Sequence, residues 1–414
     1  MKKKYLFFIS LLILFVVGLI FYNHFKVDNV YEEENLNNSN NINKGISMNL
    51  EQTAGAGDYK LVTQSEWPTE GYKFNSELSK CENGGEVTWD DVKKIVVMTG
   101  NISDKCYVYF DIIPSVILTE YIISQYTGVQ GENDIYYHTG TLSNGAGDNS
   151  YRYSGANPNN YVCFGSDETT CPEDNLYRII GVIGGKVKLI KYDFANSNLL
   201  GTDGDYYGSE APLATFYKGN LTTVNTYYWN YKATSNAKNT WSTSLLNKTN
   251  LNINFINNIG TTWASKIDVT TWKVGGNTET NIKKVVPAVS YQNEIVKPVT
   301  TNTTDKTTTY SARIGMPYVS DYTFAAIPDA WTLTLSTYDN STAKDNNWMY
   351  MGFCMWTITR DSTNDYTAFY VGNYGSVNNL NVSGNYGVRP TFSLNNSVLY
   401  VGGEGTMDNP IRIS

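Results

Sequence analysis

The chain has 414 residues, of which 41% are hydrophobic and 17% charged, and its formal net charge is −8. That apolar share excludes a wholly disordered chain, and the lack of a basic run beyond the first four residues excludes nucleic acid as a partner. The only histidines, His24 and His138, exclude a three-histidine zinc site and leave a Ser-His-Asp triad poorly supplied.

Tyr5 to Tyr22 is an uncharged apolar run directly after Lys2, Lys3 and Lys4. A run of roughly 20 apolar residues spans a bilayer as a helix. The lysines stay in the cytoplasm, so residues 1–27 read as a transmembrane signal anchor with the remainder extracellular. A cleaved signal peptide is the competing reading. It needs small residues just after the apolar run, and Ala54-Gly55-Ala56 comes too late.

Residues 28–57 are polar and asparagine-rich, which predicts a flexible stalk. Residues 58–112 predict a small all-β domain. KIVVMTG (94–100) and CYVYFDI (106–112) alternate as strands do, with a turn at Asn83-Gly84-Gly85. Residues 113–158 read as a helix over 114–127, stopped by Gly128, and then a linker rich in Gly, Asn, Asp and Ser.

Residues 159–414 predict an α+β domain. LYRIIGVI (176–183) and KVKLIKYD (186–193), joined by Gly184-Gly185, form the clearest hairpin signal in the chain. Residues 240–267 have helical apolar spacing, and 268–309 read as surface strands and loops. A short helix is expected at YTFAAIPDAW after Ser320-Asp321. Strands follow at 348–360, 367–373, 386–394, 398–403 and 411–413.

The cysteines are Cys81, Cys106, Cys163, Cys171 and Cys354. No C-x-x-C occurs, so zinc and thioredoxin-like chemistry lack support. Sequence does not fix the connectivity. The local pairings are Cys81–Cys106 and Cys163–Cys171, with Cys354 left in an apolar context.

Four stretches carry a family resemblance: NNYVCFGSDETTCPEDNLYRIIGV (159–182), NTWSTSLLN (239–247), ARIGMPYVSDYTFA (312–325), and MWTITRD followed by GVRPTFSL (355–361, 387–394). Together the chain resembles an uncharacterised family of bacterial envelope proteins. Their C-terminal domain is distantly similar to the C-type-lectin-like fold of formylglycine-generating enzymes. The resemblance implies a C-type-lectin-like domain preceded by the small all-β domain and the transmembrane helix. It does not imply the enzymes' chemistry, because Cys354 has no second late cysteine. The triplets of calcium-dependent lectins are also missing.

For ligand binding the sequence points to the late aromatics. On a single strand, Trp348, Tyr350, Cys354 and Trp356 share one face, and Arg360 and Tyr374 lie close by in sequence. The expected ligand-binding set is Trp348, Tyr350, Trp356, Arg360 and Tyr374, with core packing as the competing reading. No cofactor is required. The acids of Gly201–Glu210 could offer oxygens to calcium, but they lack an EF-hand frame. Asp321 and Asp361 are too far apart in sequence to pair as acid and base. The resulting expectation is a membrane-anchored, non-catalytic protein that binds a glycan or another envelope component. The alternatives are a structural or adhesive surface protein acting through protein–protein contacts and, third, a degenerate enzyme.

Overall fold

The computed structural model describes residues 45–414 apart from 64–65, 69–70, 92, 101–103, 114–115, 234–236, 279–281, 283 and 299–304. The expected anchor lies outside the described residues. Among those residues no helix is long and apolar enough to cross a membrane.

Strand accounts for 33% and helix for 20% of the structure, with the strands divided among many small sheets. The expected α+β class with a lectin-like C-terminal domain is therefore corrected to a sheet-rich architecture, while the expected transmembrane helix lies outside the described residues. The composition explains the shift. Tyrosine, threonine and the β-branched residues favour strands, whereas frequent Asn and Gly keep helices short. The longest helical element among the described residues is the nine-residue Leu246–Asn254.

Residues 45–112 build a β module around Met48, Leu50, Val87, Cys106, Val108 and Phe110. Its main sheet runs Tyr59–Val62, Gly45–Glu51, Lys105–Ile112, Tyr72–Phe74, and Lys80–Cys81 also pairs with Lys105–Ile112. The stalk expected over 28–57 is corrected from residue 45 onward, residues 28–44 lying outside the described residues. Gly45–Glu51 is an inner strand, parallel to Lys105–Ile112 and antiparallel to Tyr59–Val62. Met48 and Leu50 alternate into the core, a period-two signal hidden among the polar neighbours. Cys81 and Cys106 face each other across paired strands and are disulfide-bonded, as are Cys163 and Cys171.

The remainder is organised by two six-stranded sheets. The first runs Thr391–Ser393, Lys186–Lys191, Leu176–Ile183, Tyr151–Tyr153, Ile135–Tyr137, with Tyr161–Cys163 also against Leu176–Ile183. The expected hairpin is present. Gly184 and Gly185 both take left-handed φ, 59° and 76°, as a two-residue type I′ turn requires. Leu176–Ile183 is covered on both faces, which explains its near-continuous apolar run. The expected linker supplies two strands of this sheet, Ile135–Tyr137 and Tyr151–Tyr153, so 128–160 is not a free connection. The helix predicted over 114–127 is the shorter Leu118–Ser124.

The second sheet runs Tyr206–Glu210, Val224–Tyr228, Asn385–Gly387, Met355–Arg360, Thr367–Val371, Val377–Asn381. A shared core of Trp229, Trp241, Trp272, Trp356, Phe255 and Phe392 joins the two sheets. The late strand expected over 348–360 begins only at Met355. Gly352 takes φ +71°, and a Cβ there would meet the Phe216 carbonyl oxygen at 1.8 Å. The chain therefore turns where the alternation assumed a straight strand.

Candidate functional site: an aromatic cleft over a buried ion network

The expected aromatic binding face is not present as a surface. Trp348, Tyr350, Trp356 and Arg360 are only 4%, 3%, 0% and 1% exposed, whereas Tyr374 is 51% exposed. Each buried member is tied into the fold. Trp348 Nε1 donates to Tyr153 O at 2.9 Å, Trp356 Nε1 to Tyr227 O at 2.8 Å, and the Tyr350 hydroxyl to Asn373 O at 2.6 Å. Arg360 donates to the backbone oxygens of Gly275, Asp305 and Thr307 and to the Asp305 carboxylate. These four are core residues, and the stacking platform expected of them is corrected accordingly. Cys354 is a free, half-buried thiol whose pKa burial pushes up, away from the reactive thiolate.

The calcium expectation also meets an occupied group. Asp205 is fully buried. Its Oδ1 accepts from Tyr231 N (3.1 Å) and Lys232 N (2.8 Å), and its Oδ2 from Leu245 N and Leu246 N, both at 3.0 Å. Both oxygens are engaged in holding three chain segments together. Asp361 is likewise buried and accepts from Thr363, Asn364, Thr367 and Asn379. Among the described residues no group of three or more His, Cys, Asp or Glu side chains could hold a metal ion.

A different set converges on a cleft of about 180 Å³. It lies between strand Lys186–Lys191, strand Thr270–Lys273, helix Val319–Phe324 and the helical turns Pro287–Tyr291 and Gln292–Val296. Trp272, Tyr291 and Tyr318 form its walls, and Thr270, Thr271 and Lys273 line its more exposed edge. The floor is a chain of alternating charges. Lys188 Nζ donates to Asp321 Oδ2 at 2.5 Å, and Arg152 Nη1 lies 3.5 Å from Asp321 Oδ1. Arg152 Nη2 donates to Asp148 Oδ2 at 2.8 Å, where the Tyr291 hydroxyl also donates at 2.8 Å. Two cations and two carboxylates sum to no net charge.

Local structure fixes these groups. Lys188 sits in a strand whose neighbours Val187 and Leu189 are buried, and Ser393 pairs it from the adjacent strand. Asp321 Oδ2 also accepts from Tyr318 N at 2.9 Å, which caps the first turn of Val319–Phe324. Burial lowers the Lys188 pKa, and Asp321 offsets only part of that. For Asp148 burial acts upward, but Arg152 and hydrogen bonds from Ser150 and Tyr291 hold its carboxyl well below the usual range. Behind the cleft, Glu294 accepts from Val319 N (3.1 Å), Ser320 N (3.0 Å) and the Thr359 hydroxyl. Burial pushes its carboxyl up to about 7.

Ligand pockets for drug-sized molecules run roughly 300–1,000 Å³, so this cleft fits one small ring or side group. Its members span Asp148 to Asp321, and sequence spacing did not bring them together. The sequence carries no signal for them, because Lys186 and Lys188 alternate with apolar residues in KVKLIK as an exposed strand face does. No family model matches the chain, and no curated protein or solved structure matches it either.

Proposed function

We propose that this protein is a membrane-anchored, extracytoplasmic binding protein that takes one sugar ring of an envelope glycan into the cleft, without catalysis. The observation that carries the reading is the cleft itself: three aromatic walls, a charge-balanced polar floor and threonine hydroxyls at the edge. Ring faces pack against the C–H face of a sugar, while fixed polar groups orient its hydroxyls. The buried ion network is neutral and Lys273 adds one positive charge at the edge, an arrangement that can meet the hydroxyl oxygens of a sugar. The two disulfides support placement outside the cytoplasm, where such bonds persist.

The test is a titration of the full-length chain against envelope polysaccharides and their fragments. Thr270 shares the strand face of Trp272 and is half-buried, so Thr270→Trp fills the cleft from its edge. Saturable binding that falls at least tenfold in Thr270→Trp supports the reading. An equal affinity in both proteins overturns it.

A second reading, adhesion through protein contacts, draws on the β module. Leu61 lies on an edge strand of its sheet, and Ile95 and Val97 lie on a separate two-stranded hairpin; all three are exposed. Exposed apolar edges favour pairing with another chain. Concentration-dependent self-association lost in Leu61→Lys would favour it.

A further inference from the structure

Among the described residues the three tightest lysine–aspartate pairs are Lys186–Asp268, Lys188–Asp321 and Lys238–Asp365. Two of them are ordinary ion pairs with solvent around them, their side chains 38% and 27% exposed in one case and 38% and 24% in the other. The pair Lys188–Asp321 differs. Its side chains are 8% and 3% exposed, and the ammonium lies 4.6 Å from the ring centre of Tyr318 and 5.5 Å from that of Trp272.

We propose that Lys188 Nζ and Asp321 Cγ join in an intramolecular amide bond, a covalent cross-link between strand Lys186–Lys191 and helix Val319–Phe324. The inference stands on the contact geometry and does not depend on the cleft's ligand.

The step balances without any co-reactant. The lysine nitrogen attacks Cγ and forms the C–N bond. The bond from Cγ to one carboxylate oxygen breaks, and two hydrogens from the ammonium leave with that oxygen as water. Nothing is oxidised or reduced. The hydrogen bond from Nζ to Oδ2 at 2.5 Å already aligns the proton donor with an oxygen of the same carboxyl group. Arg152 Nη1 stands 3.5 Å from Oδ1, facing the charge that grows on the tetrahedral intermediate.

The driving force is desolvation. A buried ammonium and a buried carboxylate each carry a desolvation cost that their attraction offsets only in part. The amide is neutral and removes both charges. Burial also lowers the Lys188 pKa, which makes the neutral, nucleophilic amine easier to reach. The two exposed pairs lack this drive, since water solvates their charges, so one water is lost per chain and not three.

The experiment is tryptic peptide mapping of the purified full-length protein by mass spectrometry. Trypsin does not cut after an acylated lysine. The expected species therefore joins 187–191 to 314–344, at the summed peptide mass less one water. Lys188→Met is expected to lose this species and release free 314–344. A wild-type digest that yields free 189–191 and free 314–344, with no joined species, overturns the proposal. The wild-type digest decides the question by itself, so a variant that fails to fold leaves the test intact.

Discussion

Replacing Asp205 with alanine is expected to be among the most damaging single changes outside the apolar core. The carboxylate receives four backbone N–H bonds of 2.8–3.1 Å, from Tyr231, Lys232, Leu245 and Leu246. Its own N–H donates to Asn250 Oδ1 at 2.9 Å. Alanine leaves four donors without their acceptor at a fully buried site. Each such loss costs about 1–3 kcal/mol. The terms do not add fully, because water enters the void, so a total of roughly 4–5 kcal/mol is expected. Asp205→Asn keeps the volume but turns an amide N–H₂ toward two N–H donors, and is expected to cost roughly half as much.

Urea unfolding followed by tryptophan fluorescence reads this region, because buried Trp229 and Trp241 stand 4.9 Å apart beside the two segments that Asp205 ties down. A chelator is expected to leave the wild-type midpoint unmoved, since both carboxylate oxygens are occupied by N–H groups. A cost below about 1 kcal/mol for Asp205→Ala contradicts this expectation. So does a chelator-induced shift in wild type that Asp205→Ala abolishes, which would return the loop to calcium.

Three further outcomes follow from burial. His138 accepts from Ala146 N at 3.0 Å, and burial pulls its pKa down to about 3. The unfolded chain therefore takes up a proton below about pH 6.5 that the folded chain refuses. This lowers stability as pH falls, so between pH 6.5 and 5 the wild type should lose about 1.6 kcal/mol in total relative to His138→Gln; parallel curves contradict it. Glu294 acts in the opposite sense, because its folded pKa of about 7 lies above the ordinary 4.5. Its penalty is absent below pH 4.5 and complete above 7, so Glu294→Gln should gain about 3 kcal/mol on wild type across that window, read from urea midpoints at pH 4.5 and 8. Trp356→Ala should cost about 3–5 kcal/mol, whereas Tyr374→Ala should stay within about 0.5 kcal/mol; the reverse order of melting temperatures would restore the exposed aromatic face.

Local features were legible in the sequence because local chemistry dictates them. The Gly184-Gly185 turn, the alternation of Lys105–Ile112 and the Cys81–Cys106 bridge all follow from residues near in sequence or from a single pairing. The strand Gly45–Glu51 was missed because its apolar positions are diluted by Gly, Ser and Asn. The aromatic run at 348–356 misled because its alternation is real, but the turn at Gly352 breaks the period that alternation assumes. The cleft was illegible for a different reason. Arg152 comes from a stretch with the composition of a linker, Glu294 from one with the composition of surface loops, and Lys188 and Asp321 are 133 residues apart. Charge pairing at that distance has no periodic signature. Lys188 alternates with Lys186 as an exposed strand face would, so its burial is visible only in the folded chain.

The proposed function rests on reception of a sugar ring by the cleft beside Trp272, Tyr291 and Tyr318. Its most direct test is the titration of full-length wild type and Thr270→Trp, matched for unfolding midpoint, with fragments of envelope glycan. The wild type is expected to bind saturably, with at least a tenfold loss in the variant. Saturable binding of equal strength in both proteins, or none by the wild type to any fragment, would contradict it.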